Sequence, residues 1–133
     1  MIDKIFDKTL PLLQKHLDLN SKRMEALVSN VTNAETPGYR AVDVNFAGEL
    51  ERAAGKINSP ITKTDVRHID TQSQSGMAHL TPDFSGVTKP DGNNVDIDLQ
   101  MGKLTKASSE YSQSANLIRK KLGIIKFAIR SSQ

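Results

Sequence analysis

Phe6, Leu10, Leu13, Leu17, Asn20, Met24, Leu27 and Val31 follow one another at alternating spacings of four and three residues, and all but Asn20 are apolar. That is a strict heptad seam, with Leu10, Leu17, Met24 and Val31 at a and the others at d. The other end of the chain repeats it: Ile97, Met101, Leu104, Ser108, Tyr111, Ala115, Ile118, Leu122, Ile125 and Ile129 keep the same alternation, broken in polarity only by Ser108. An apolar stripe must be buried against something, and two matching stripes at the two termini predict helices that pack on each other. Antiparallel and parallel pairing both remain open, because the intervening residues, 37–94, are long enough to close either. The expected fold class is therefore mainly α: two long terminal helices paired as a coiled coil, with an irregular loop and short-strand middle.

Each helix also carries apolar residues off the seam. Ile5, Leu12, Leu19 and Ala26 recur at c on the first; Leu117 and Ile124 sit at c on the second, with Phe127 at f. A simple two-stranded coil keeps such positions polar, so each helix calls for a second neighbour. With only two long helices in view, the expected neighbours are other copies or other subunits. Asn20 reads either as a register device within the seam or as a solvated gap.

Three segments follow: 1–36, 37–94 and 95–133. Pro37 lacks an N–H and pushes Thr36 out of the α region, so the first helix must end by about Glu35. Pro37-Gly38 suits the two central positions of a type II turn, where glycine takes positive φ without penalty. Glycines and prolines then punctuate the middle too often for long elements. Strand-like pieces are expected at Arg40–Phe46 and His79–Phe84, a short helix near Asn45–Lys56, and a loop at Thr71–Met77. The C-terminal helix should begin near Val95–Asp98, with Asn94, Asp96 or Asp98 as its cap. Pro11, inside the first seam, implies a kink or a separate short first helix.

The chemistry available is sparse. The histidines, His16, His68 and His79, have no converging set of ligands around them, and there is no cysteine, so neither a metal site nor a disulfide framework is expected. No Gly-rich loop opens a helix after a strand, and no serine lies in a nucleophile-elbow context. Asp96 and Asp98 are better explained as helix-capping carboxylates than as an acid–base pair. No enzymatic activity, cofactor or small-molecule substrate is therefore expected. The C-terminal helix is basic, with Arg119, Lys120, Lys121, Lys126 and Arg130 clustered near its end. No aromatic or Gly-rich RNA-binding pattern accompanies them, which argues against nucleic acid as a partner. No apolar run is long enough to span a bilayer. The N-terminal stretch, charged every few residues, is not a cleavable secretory signal.

"SNVTNAETPGYRAVDVNF" (Ser29–Phe46) closely resembles the signature of bacterial flagellar axial proteins, in which the N-terminal helix ends in Asn-x-x-Asn-x-x-Thr-Pro-Gly-Tyr. Here the pattern falls on Asn30, Asn33, Thr36, Pro37, Gly38 and Tyr39. The short chain and "DGNNVDID" (Asp91–Asp98) are similar to the proximal members of the basal-body rod group. The resemblance implies a non-enzymatic rod subunit whose terminal helices pair to line the tube of the flagellar axis. It implies as partners other copies of itself, other rod subunits, ring or adaptor proteins at the rod base and the type III export apparatus. It places the protein in the periplasmic rod, exported without a cleaved signal. Thr32, where the family often has Ala, and Pro11 depart from the pattern. On this reading Asn30 and Asn33 hydrogen-bond the last helical carbonyls or a neighbour's loop, and Tyr39 offers an amphipathic contact to an adjacent subunit. A soluble coiled-coil adaptor and, more distantly, a basic-helix nucleic-acid-binding protein are the competing readings.

Overall fold

A computed structural model describes residues 9–58 and 78–131. Along the chain run α1 (Thr9–Thr32), β1 (Val42–Val44), α2 (Phe46–Asn58), β2 (Leu80–Pro82) and α3 (Ile97–Ser131). His68 and the expected Thr71–Met77 loop lie outside the described residues. Pro11 is the third residue of α1 as described, and the helix runs on from it without a break to Thr32.

The long helices pack side by side and antiparallel. Near one end Asn30 Nδ2 donates to Gln100 Oε1 at 3.0 Å. Two heptads along both helices, His16 Nδ1 meets Ser114 Oγ at 2.8 Å. One heptad further, Lys121 Nζ donates to Thr9 Oγ1. A constant step of seven on each helix means one unbroken register. Halfway between the first two pairs that register sets Arg23 opposite Ala107, which is fully buried.

This geometry corrects the seam. All these paired residues sit at g, not at a. Leu104, Ile118 and Ile125 stay half-buried beside the contact, as do Leu10, Leu13, Leu17, Met24 and Val31, and Leu27 is fully buried. Met101 and Leu122, by contrast, are 46% and 51% exposed, and Tyr111 is exposed too. The physical reason is side-chain size: Gln100, Ala107 and Ser114 form a small or hydrogen-bonding line down α3 that lets the helices close there. Rotating α3 onto that line turns its a positions outward.

A second correction concerns the apolar residues at c. Leu19 and Ala26 are buried within the chain, because α2 and β1 also pack on α1. Phe46, the first residue of α2, sets its ring edge-on to His16 at 4.9 Å. On α3, however, Leu117, Ile124 and Phe127 remain exposed. Asn20 is buried rather than solvated; its Nδ2 reaches His16 Nδ1 and His16 O, while its Oδ1 has no hydrogen-bond partner among the described residues.

The two short strands pair antiparallel, Val42 with Pro82, Asp43 with Thr81 and Val44 with Leu80. Bonds from Asp83 N to Ala41 O and from Asn45 N to His79 O extend the pairing at both ends. Asn45 then caps α2, its Oδ1 accepting from Gly48 N at 3.2 Å. Within α2, Glu49 is buried, and it accepts from His79 Nδ1 at 2.9 Å and from Arg52. Burial on its own would raise the Glu49 pKa, but the bonds from His79 together with the Arg52 charge outweigh it and hold it below the usual range.

Candidate assembly site

The flagellar-type signature lies where α1 ends, and the structure ties this end to β1, to the loop before α3 and to the first turns of α3. The turn itself follows from Pro37 and Gly38: Tyr39 N donates to Thr36 O at 3.2 Å, and Gly38 has φ +73°. These are the features of a type II turn. Gly38 N donates to Asp91 O, and Gly92, also at positive φ (85°), lies flat against Gly38. A Cβ on Gly92 would fall 3.5 Å from Gly38 Cα, so the two loops touch here.

Asn30, wholly buried, works as a substitute strand. Its Oδ1 accepts from Val42 N at 3.0 Å and its Nδ2 donates to Val42 O at 2.7 Å, closing the edge of β1 that β2 does not cover. The same amide reaches Gln100, and Tyr39 OH donates to its Oδ1 at 3.2 Å. Tyr39 thus folds back on its own helix, within 3.2 Å of Ser29 Oγ, and packs on the small cluster of Ala34, Ala41 and Val95.

Asn33 acts locally, donating to Ser29 O at 2.8 Å and accepting from Thr36 Oγ1. The last carbonyls of the α1 end are met from across the fold. Asn93 Nδ2 is within 2.8–3.1 Å of the carbonyls of Asn33, Ala34 and Thr36. Lys89 Nζ adds a cation at Ala34 O, favourable at the negative end of a helix. Asn94 does not cap α3: its Oδ1 accepts from Ala41 N and its Nδ2 donates to Asp83 O, both at 2.7 Å. The cap is Asp96, which accepts from Leu99 N at 3.2 Å.

Asn93, Gln100 and Asp83 are the site residues that sequence reading missed. "DGNN" reads as a turn, and nothing in it says that both asparagines point inward. Gln100 carried a faint signal, a polar residue one position from the seam. Asp83 is buried and accepts from Gln100 Nε2, Ser85 and Lys103 Nζ, the last at 2.5 Å. Lys103 lies 4.0 Å from Asp43, which takes a two-pronged pair from Arg23 at 2.8 Å. Alternating charges therefore run from α1 through β1 and α3 to the loop after β2. The Asp43 hydrogen bond, against the opposing effect of burial, raises the Arg23 pKa.

For Asp83, burial pushes the pKa up, but the bonds from Lys103, Ser85 and Gln100 win and hold it well below the usual carboxylate range. A depressed folded-state pKa contributes stability that is complete above the ordinary carboxylate range and disappears as pH falls below it. The wild-type chain should therefore lose melting temperature steeply between about pH 4 and pH 2. Asp83→Asn should start lower at pH 7 and fall less over that interval. Parallel acid limbs for the two proteins in thermal melts would contradict this role.

The described fold is thus a terminal-helix pair locked at one end by buried amides. No protein-family model matches the chain. It is 33% identical over 133 residues to "Flagellar basal body rod protein FlgB" of Aeromonas hydrophila, covering 96% of this chain and 97% of that protein. The FlgB of Proteus mirabilis (strain HI4320) is 33% identical over 124 residues, with 89% and 90% covered. That of Escherichia coli (strain K12) is 32% identical over 127 residues, with 89% of each covered. The chain belongs to the FlgB family of flagellar basal body rod proteins.

Proposed function

We infer that this protein is a structural subunit of the flagellar basal-body rod. The observation that carries the reading is the extent of the similarity to FlgB proteins, which spans nearly the full length of both chains. Within that reading, the subunits assemble through their terminal helices into the shaft that joins the membrane ring to the distal rod and hook. Its partners are then further copies, neighbouring rod subunits, ring or adaptor proteins at the rod base and, on the way out, the type III export apparatus. The working location is the periplasmic part of the basal body.

The geometry supports a particular role for Asn30, Asn33, Thr36, Pro37, Gly38 and Tyr39. Their hydrogen bonds are internal, so the motif fixes the angle between the helix pair and the outer segment, and neighbours meet a surface that the motif holds in place. Helical assembly needs that angle to be the same in every copy. Residues 1–36 and 95–133 form the axial core on this view, and 37–94 the outer part. The helix pair brings Leu10, Leu13, Leu17, Met24, Leu27 and Val31 toward Leu104, Ile118 and Ile125, while Met101, Tyr111 and Leu122 are left for contacts between copies.

Expression in a strain lacking its proximal rod protein tests the reading, with swimming restored as the expected result. No swimming despite export of the chain would overturn it. Gly38→Val in the same strain should abolish motility. Nothing lies within 4 Å of the site of a Cβ there, so the positive φ is the strained feature, at a cost of about 1–2 kcal/mol. The subunit should still be made and folded, and normal swimming would refute the fixed-angle role.

A further inference from the structure

Two exposed apolar patches sit at opposite ends of the molecule, and their charges are opposite. At the head, Phe84 and Val87 are 79% and 86% exposed, and Ile97 and Met101 at the start of α3 are exposed too. Their loop is held firmly. Asp83 is buried beside Gln100 and Lys103, Ser85 is tied to Asp83, and Gly86 packs directly on the Asn94 carbonyl. Glu35, Asp91, Asp96 and Asp98 are exposed at this end. These four acids outnumber the exposed cations there, Arg40 and Lys89, while Lys103 is paired with Asp83.

At the tail, Leu117, Lys120, Ile124, Ile125 and Ala128 line an open apolar groove on α3. Leu117, Ile124 and the adjacent Phe127 are exposed. From Tyr111 to Ser131 α3 carries Arg119, Lys120, Lys121, Lys126 and Arg130 and no acidic residue. Ala128, the smallest side chain in the groove, lies one turn beyond Ile124. About 36 Å of helix separates Gln100 from Ile124 at 1.5 Å per residue, so head and groove cannot meet within one molecule.

We propose that the Phe84–Val87 loop of one copy docks in the Leu117–Ala128 groove of a second copy, head to tail. The inference rests on the reading of the chain as a self-assembling subunit and names the surfaces it uses. An apolar ring on a rigid loop loses little conformational freedom on docking, and the acidic rim of the head meets the basic rim of the groove. Because the two surfaces differ, each contact leaves a free head and a free tail, so copies add in one direction.

The test uses the purified full chain in sedimentation velocity. Wild type should form a concentration-dependent series that shortens as salt is raised. Phe84→Asp removes the head and Ile124→Asp the tail. Both positions are exposed, and circular dichroism should show the wild-type helix content. Each variant alone should be monomeric, and an equimolar mixture should give a discrete dimer and nothing larger, since one intact head and one intact tail remain. Lys120→Glu with Lys126→Glu should behave as the tail variant. A series unaffected by Phe84→Asp, a mixture that stays monomeric, or a wild type that is monomeric throughout overturns the proposal. Restored swimming in the deletion strain alongside any of those results would leave the rod reading standing and remove only this contact.

Discussion

Asn30→Ala should cost about 3 kcal/mol of folding stability, measured by urea unfolding followed by circular dichroism. The side chain is wholly buried and its amide makes four hydrogen bonds, to Val42 N, Val42 O, Gln100 Oε1 and Tyr39 OH. Alanine fills none of them and leaves both backbone groups of Val42 without their partner on that edge of β1. A buried polar group deprived of its partner costs about 1–3 kcal/mol, and relaxation recovers part of the total. Asn33→Ala is the control, since its bonds to Ser29 and Thr36 are local and exposed. It should cost no more than about 1 kcal/mol, the usual range for a lost helix-end contact. Equal losses for the two variants would mean that Asn30 does not fasten β1 and α3 to α1.

The second large effect is expected at Gly86. An alanine Cβ there would lie 2.2 Å from Asn94 O and 3.3 Å from Asp96 N. Both are backbone atoms, so no rotamer change relieves the clash. Asn94 cannot retreat cheaply, because its side chain is bonded to Ala41 N and Asp83 O. Gly86→Ala should therefore cost about 2–3 kcal/mol, at the upper end of overpacking effects. It should also loosen Asp83 from Gln100 and Lys103. Gly102→Ala supplies the contrast: that glycine lies within α3 with nothing within 4 Å. There alanine should raise the melting temperature, by the equivalent of up to about 1 kcal/mol of helix propensity. A neutral Gly86→Ala would mean that the Phe84–Val87 loop is not held against the start of α3.

The candidate site was partly legible. The turn was written in Thr36-Pro37-Gly38, since proline fixes one φ and glycine accepts the positive one that follows. Asn30 and Asn33 stood out as a pair, yet equal spacing hid unequal roles: one is a buried fastener and the other a half-buried residue with local bonds. Asn93 and Asn94 were indistinguishable from turn residues, because a short loop reveals its inward-facing side chains only when the other elements surround it.

Local physics in the sequence determined that both terminal segments would be helical, roughly where the first would stop and the second begin, and that the middle would hold short pieces. Heptad spacing, proline sterics and capping carboxylates all act over a few residues, so they survive without knowledge of the fold. Only the tertiary structure decided that the helices run antiparallel, and that α3 turns its g line, Gln100, Ala107 and Ser114, toward α1. Periodicity marks a greasy stripe about two positions wide, whereas the face that closes depends on which side chains are small enough or well enough paired to let two backbones approach.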